Sequence, residues 1–281
     1  MPSVTTPNIT KLNQLDRHLP NGLVADGAYL EARGYSSSLR TQYVKAGWLQ
    51  QPVRGIYSRP HISIDWPLAI LSMQILMGRP VIVGGRTALE LQGRAHYVSN
   101  RVRDVHLYTT TSVPTWLAKL DLGVVFHTHN STRLFADDPI TRALTEAAVD
   151  LRTRTVRSVD SLRGGLTTYP LGHWEWPLVI STLERAYLEM LDELPDHESF
   201  HQADVLMEGL SDLSPRRLQK LLEDCISIKV KRLFLFFADR HDHAWLKRLD
   251  RTRIGLGSGK RQLVSGGRYV AAYQITVPET F

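Results

Sequence analysis

Apolar side chains recur every three or four residues along the first 47 positions, and this period predicts short helices that share a core. The pattern predicts three helices, marked in turn by Leu12, Leu15 and Leu19, by Ala25, Ala28, Tyr29 and Ala32, and by Leu39, Tyr43 and Ala46. Gly34 follows the second helix as a C-terminal cap, and Ser36–Ser38 provide an N-cap for the third. The last two helices are therefore joined by only a few residues.

A β-hairpin is expected after the third helix. Trp48–Gln50 and Ile56–Tyr57 are typical of two short strands, with Pro52 and Gly55 in the turn between them. The order helix, helix, helix, hairpin predicts a winged helix-turn-helix over residues 1–60. A unit of this size has a small core, so we expect it to pack on the remainder of the chain or to dimerise. His61–Pro67 is the expected linker.

Beyond Trp66 the pattern mixes strands and helices, so the expected fold class is α+β, with a larger mixed α/β C-terminal domain over residues 61–281 and a subdivision near residue 170. Strands are predicted at Val81–Val83, Val105–Tyr108, Val124–Thr128 and Tyr269–Val277. Helices are predicted at Leu68–Met77, Thr87–Gln92, Trp116–Leu120, Pro139–Arg152, Val179–Met190, Phe200–Leu210, Pro215–Cys225 and Val230–Phe237. Arg152–Trp176 has no clear period and is expected to be irregular.

The charge, cysteine content and apolar stretches of the chain exclude several classes of protein. The 281 residues carry a net charge of +6 and a single cysteine, Cys225, which excludes a disulfide framework and a cysteine-based metal site. Cationic residues outnumber acidic ones before residue 61 and after residue 225, while the middle is acidic. The longest apolar stretches are shorter than the ~18 residues of a membrane span. We expect a cytoplasmic protein with no membrane partner and a polyanion bound at one end at least.

The third helix carries the candidate contacts to double-stranded DNA. With Leu39, Tyr43 and Ala46 facing the core, the outer face holds short polar and cationic side chains: Ser37, Ser38, Arg40, Thr41 and Lys45. Such groups reach base edges and phosphates in a major groove. Arg54 and Arg59 on the hairpin are expected to contact the DNA backbone, and Gln42 is expected nearer the core.

Three blocks of the chain resemble the AbiEi family, the antitoxins of type IV (AbiE) toxin–antitoxin and phage-defence systems. The first block runs from Ser37 to Tyr57, the second from Val83 to Gly93 with its Ala-Leu-Glu centre, and the third joins Lys229–Leu235, Gly255–Arg261 and Tyr273–Pro278. The resemblance implies an N-terminal domain that binds operator inverted repeats and represses its own operon. We also expect self-association on the DNA. It also implies a C-terminal domain that neutralises a cognate nucleotidyltransferase-like toxin, and it supplies no catalytic residues.

A second cationic group lies near the C-terminus. Its members are candidates for a further contact with DNA or with a protein partner: Lys229, Lys231, Arg232, Lys260 and Arg261. Cationic residues at the edge of an interface mainly accelerate association.

Enzymatic and metal-binding interpretations are weaker. Gly255–Lys260 departs from a phosphate-binding loop, because Ile254 stands where the motif needs glycine and Arg261 where it needs Ser or Thr. His127 and His129 share one face of a predicted strand, yet no third ligand is evident, so we expect no metal, no cofactor and no catalysis. Two alternatives remain open: a stand-alone transcriptional regulator whose C-terminal domain senses a ligand, and an enzyme with its active site in residues 61–281.

Overall fold

The computed structural model describes residues 8–61, 63–94, 102–137, 139–146, 149–150, 155–156, 164–173 and 175–281. Within these ranges the longest helix has 14 residues, and no helix is long and apolar enough to cross a membrane. The helix predicted over Pro139–Arg152 is shorter in the structure, since Ile140–Glu146 form a helix and Val149–Asp150 a strand, and its predicted end at Arg152 lies outside the described residues.

The N-terminal unit, called the head (residues 8–60), is a winged helix. Its elements are α1 (Asn8–His18), β1 (Val24–Asp26), α2 (Gly27–Glu31), α3 (Ser37–Lys45), β2 (Gln50–Val53) and β3 (Ile56–Ser58). The three strands form an antiparallel sheet in the order β1–β3–β2. The predicted winged helix-turn-helix is thus confirmed, with one strand more than the hairpin expected from the pattern.

The start of the second helix differs from the prediction. Ala25 lies in β1, where it pairs with Tyr57, and α2 begins two residues later. The Asp26 side chain accepts a 2.7 Å hydrogen bond from the backbone N–H of Tyr29 and so caps the helix at that point. Ala25 therefore pairs with β3, although the helical period places it in the second helix.

The remainder of the chain, called the body (residues 63–281), is built on a five-stranded mixed sheet. Its first half contains α4 (Trp66–Ile75), β4 (Val81–Val83), α5 (Gly85–Leu91), β5 (Asp104–Thr109), β6 (Val125–Asn130), α6 (Ile140–Glu146), β7 (Val149–Asp150), β8 (Thr155–Val156), β9 (Leu166–Leu171) and β10 (Trp176–Ser181). The strand order is β6–β5–β4–β10–β9, and β7 pairs with β8 separately. The predicted helix at Trp116–Leu120 is a 3-10 turn at Leu117–Lys119.

Two strands of this sheet contradict the expectations. Val179 was assigned to a helix, but it lies in β10, whose six residues are all buried. Arg152–Trp176 is expected to be irregular, but its residues Leu166–Leu171 form β9, which pairs antiparallel with β10. A short, wholly buried strand shows no alternation of polar and apolar residues, so its local pattern resembles that of a buried helix.

Four helices and a small sheet complete the body. They are α7 (Leu183–Asp192), α8 (Phe200–Glu208), α9 (Pro215–Asp224), α10 (Ile228–His241), β11 (Arg261–Gln262), β12 (Arg268–Val270) and β13 (Ile275–Val277). Serines at 199, 214 and 227 cap α8, α9 and α10, each accepting a backbone N–H. The single strand predicted over Tyr269–Val277 is two antiparallel strands with a turn between them.

The head packs on the body, as its size predicted. The backbone N–H of Val24 in β1 donates to the hydroxyl of Ser72 in α4 at 3.0 Å, and both residues are buried. Apolar side chains of the head and body belong to one continuous core. Helix α4 begins under the Asp65 cap, whose carboxylate accepts the N–H of Leu68 at 3.0 Å. The position of the head relative to the body is therefore fixed by packing.

Candidate nucleic-acid interface

Helix α3 presents a polar face to solvent. The Ser36 hydroxyl caps it by accepting the N–H of Leu39 at 3.3 Å. Four of the predicted contact residues are exposed on it: Ser37, Ser38, Thr41 and Lys45. The Thr41 hydroxyl donates to the Ser37 carbonyl at 3.0 Å, so it keeps an acceptor lone pair for a ligand.

Aromatic packing fixes the inner face of α3. Tyr43 is 1% exposed and meets Tyr35 and Trp48 edge-on, with ring centroids 6.2 Å and 5.2 Å away. The Tyr35 hydroxyl donates to the Lys11 carbonyl at 3.0 Å. Burial raises the pKa of Tyr35 to about 12, so this hydroxyl remains a donor at neutral pH. The aromatic group therefore holds the exposed face in one orientation.

The wing places its two arginines differently. Arg54 is exposed in the turn between β2 and β3, which Gly55 closes with a positive φ of 82°. Arg59 is half-buried, and its Nε has no hydrogen-bond partner within the described residues. Pro52 lies in β2 rather than in the turn, which is compatible with its place on an edge strand.

Arg40 is a correction to the predicted contact set. It is 7% exposed, and its Nη1 donates to the carbonyls of Tyr35 at 2.6 Å and Gly27 at 3.1 Å. The same nitrogen forms an ion pair with Glu31 at 3.2 Å. Its guanidinium group is therefore occupied in joining α3 to α2 and is buried, unlike the side chains of Thr41 and Lys45.

Sequence reasoning missed one residue on the outer face. Gln42 was expected near the core but is exposed. It follows Ser38 by four positions and precedes Lys45 by three, the spacing that puts side chains side by side on a helix. That spacing was the available signal, and a glutamine amide can both donate to and accept from a base edge.

The second cationic group divides in two. Lys260 and Arg261 are exposed, and the Lys260 ammonium lies 5.2 Å from the centre of the Tyr269 ring. Arg232 is 2% exposed and donates to the carbonyls of Leu256 and Gly259 at 2.8 Å and 2.7 Å. It thus holds the glycine-rich loop in place and is unavailable to a partner.

Two lysines beside Arg232 are also corrected. Lys229 donates to the carbonyls of Asp192 and Leu194, at the end of α7, and Lys231 is 7% exposed. Cations at the C-terminus of a helix satisfy its last carbonyl groups. Lys229 therefore joins α10 to the end of α7, and Lys231 is buried in the body. Among the described residues, no group of three or more His, Cys, Asp or Glu side chains is arranged to hold a metal ion.

Comparisons with known proteins agree with this architecture. Residues 8–100 match the profile of the N-terminal domain of the AbiEi antitoxin transcriptional regulators, and residues 102–278 match the profile described as transcriptional regulator, AbiEi antitoxin, type IV TA system. No curated protein sequence matches the chain. The fold is similar to the crystal structure of the RV2827C protein from Mycobacterium tuberculosis, with a TM-score of 0.52 and 15% identity over 97% of this chain and 92% of that one. Since the two profiles cover nearly the whole sequence, the chain belongs to the AbiEi family of antitoxin transcriptional regulators of type IV toxin–antitoxin systems.

Proposed function

We propose that the protein represses its own operon by binding inverted repeats through the head, and that the body neutralises a nucleotidyltransferase-like toxin encoded beside it. The DNA-binding unit in this proposal is residues 1–60 and the antitoxin unit residues 61–281. Both actions take place in the cytoplasm, and neither requires catalysis by this chain.

The observation that carries the proposal is the exposed face of α3. An α-helix with its side chains is about 10–12 Å across, so the nine-residue α3 can enter a major groove of about 12 Å width. The side chains of Ser38, Thr41 and Lys45 stand on the face opposite the buried Tyr43. Arg54 at the wing tip adds a cation suited to the neighbouring phosphate.

Inverted repeats imply two copies on one operator. Protein dimers on DNA match a two-fold symmetric site, with half-sites separated by about one helical turn or a multiple of it. We therefore expect two heads per operator.

The DNA-binding half is tested by fluorescence anisotropy with a duplex from upstream of the operon. The double variant Thr41→Ala, Lys45→Ala should bind at least tenfold more weakly, because each base or phosphate contact is worth ~1–3 kcal/mol. Lys119→Ala, an exposed lysine of the body, is the matched control and should bind as the wild type does. Equal affinity of the double variant and the wild type would refute the proposed interface.

The antitoxin half is tested by co-expression with the adjacent gene. Wild-type protein should restore growth of cells that express the toxin. The Thr41→Ala, Lys45→Ala variant should restore growth equally while a reporter under the operon's promoter is derepressed. Growth arrest that persists with the wild-type protein would instead favour a stand-alone regulator.

A further inference from the structure

A polar cavity of about 530 Å³ opens beside the edge of the five-stranded sheet and is lined by residues of the body. It is lined by α5, β5, β6 and the end of α7, and the argument uses six of its residues: Arg86, Asp104, His106, His127, His129 and Glu193. In the β5–β6 register His106 stands opposite His127, and Tyr108 opposite His129. Residues two apart on a strand share a face, so one side of this sheet edge carries the imidazole rings together.

The rings form a stacked ladder. The centroids of Tyr108 and His129 are 4.7 Å apart, those of His129 and His106 5.2 Å, and those of His106 and His127 5.1 Å. The planes of successive rings differ by 22°, 8° and 24°. His127 is at the end of the ladder, and its side chain is 40% exposed. The ladder therefore ends at the cavity in the exposed His127 ring.

Most of the ring nitrogens are already hydrogen-bonded. Glu193 Oε1 lies 3.0 Å from His129 Nδ1, and His129 Nε2 lies 3.0 Å from His106 Nδ1. His127 Nε2 lies 2.8 Å from Asp104 Oδ1. Burial, with the cations nearby, lowers the pKa of His106 to about 4, so this ring is neutral at physiological pH.

The two carboxylates that bond these rings each keep a second oxygen. No hydrogen bond from a described residue reaches Oδ2 of Asp104 or Oε2 of Glu193. Hydrogen bonding to the rings lowers the pKa of Asp104, and despite the opposing effect of burial the pKa of Glu193 is lowered as well. Both groups are thus charged acceptors at the cavity wall.

Negative charge exceeds positive charge around Arg86. This cation lies 3.3 Å from Glu198 Oε2 and 3.6 Å from Glu90 Oε1. No described lysine or arginine side chain forms an ion pair with Asp104 or Glu193, because Arg86 is shared between Glu90 and Glu198. Glu198, next to the cavity residue His197, is 5% exposed, and its Oε1 has no hydrogen-bond partner among the described residues. A ligand that supplies hydrogen-bond donors and positive charge would complete this site.

The geometry of the cavity favours an organic cation over a metal ion as its ligand. Within the described chain no three ligating side chains converge on one point, because the imidazole nitrogens are bonded to each other and to carboxylates. The groups left for a ligand are the exposed His127 ring at the end of the ladder and single carboxylate oxygens. A guanidinium group matches both, since it is planar, stacks on aromatic rings and donates to carboxylates.

We propose that this cavity binds a guanidinium-bearing ligand, which stacks on the imidazole ladder and donates to Asp104 and Glu193. The volume is within the range of small-molecule sites and takes one guanidinium with its alkyl chain. The same chemistry is present in a free guanidine compound and in an arginine side chain of another protein. None of the residues that line the cavity belongs to the head, which holds the proposed DNA contacts.

The test is isothermal titration of the full-length protein with agmatine at pH 8. Binding should be measurable with a Kd below about 1 mM. Asp104→Asn and Glu193→Gln, which preserve shape and remove charge, should each weaken binding at least fivefold. Glu208→Gln, an exposed carboxylate at the end of α8, is the matched control and should leave the Kd unchanged. Circular dichroism melts of each variant establish that it is folded.

The source of the guanidinium is resolved by a second titration with a short peptide that contains one arginine. A lower Kd for the peptide than for agmatine assigns the site to an arginine of a partner protein, and the reverse assigns it to a small molecule. The proposal is overturned if neither probe binds, or if the folded Asp104→Asn and Glu193→Gln proteins bind like the wild type. Binding of inorganic phosphate in place of agmatine would likewise overturn it.

Discussion

Arg185 and Glu189 form an ion pair inside the body, with Nε and Oε1 2.7 Å apart and both side chains at most 1% exposed. The second oxygen of Glu189 accepts the backbone N–H of Gly85 at 2.9 Å, across from α7 to the start of α5. An added Cβ at Gly84 would lie 2.3 Å from that same oxygen, so the chain approaches the carboxylate closely. One buried carboxylate thus joins two elements of the body.

Glu189→Gln should lower the free energy of unfolding by about 3 kcal/mol. The substitution keeps the shape but leaves the buried Arg185 guanidinium without a counter-charge, a loss worth ~3–5 kcal/mol when one partner of a buried pair is removed. Urea unfolding followed by circular dichroism measures it. The double variant Glu189→Gln, Arg185→Met should lose less unfolding free energy than the two single variants together, by at least about 1 kcal/mol. Strict additivity would show that the pair contributes no coupling.

Arg40→Ala should destabilise the protein by about 2–3 kcal/mol, because it leaves the Tyr35 and Gly27 carbonyls without their charged donor. Arg54→Ala is the matched change on the same domain, and its exposed side chain predicts a shift within about 0.5 kcal/mol. Thermal unfolding separates the two variants. Arg54→Ala should instead weaken operator binding. The Arg40 variant should therefore show the larger effect on stability, and the Arg54 variant the larger effect on DNA affinity.

Lys45→Ala should reduce the salt dependence of operator binding. Each phosphate neutralised by a protein cation contributes about 0.9 to the slope of log K against log salt, so loss of one contact per head should lower the slope by about 1 per bound head. Anisotropy titrations from 50 to 200 mM salt, roughly the range over which such slopes are resolved, measure it. An unchanged slope alongside weaker binding would mean that Lys45 contacts a base edge and no phosphate.

Glu198→Gln should become more stabilising, relative to wild type, as the pH rises from 5 to 8. Burial, reinforced by neighbouring carboxylates, raises the pKa of Glu198 from 4.5 to about 7. The folded protein therefore holds a proton that the unfolded chain releases between these values, and wild-type stability falls across that window. The glutamine variant lacks this loss and should gain up to about 3 kcal/mol by pH 8. Urea unfolding at four pH values checks the trend, and a pH-independent difference would contradict it.

The pattern of the first 60 residues predicts the head well because its helices are amphipathic and their caps are local. Ser36 and Gly55 act through neighbours within three residues, so their roles are readable from the chain alone. The body is harder to predict, since β10 pairs with β4 through Ile180 and Val83, almost a hundred residues apart. No local period contains that partner.

The candidate DNA contacts also differ in whether local sequence determines their exposure. Thr41 and Lys45 are exposed as the amphipathic pattern requires, whereas Arg40 is buried by acceptors that the fold brings to it. A cation on a predicted outer face is ordinarily assigned to solvent, and three acceptors around one Nη1 reverse that assignment. The imidazole ladder is likewise invisible in one strand, because His106 comes from β5 and its neighbours from β6.

The hydrogen bond from Val24 to Ser72 joins an edge strand of the head's sheet to helix α4 of the body. A head held in this way does not rotate independently of the body when it binds a half-site. Two copies bound side by side on an operator must therefore fit without a clash between their bodies. The spacing of half-sites that the protein accepts then depends on the size of the whole molecule as well as on the helix that enters the groove.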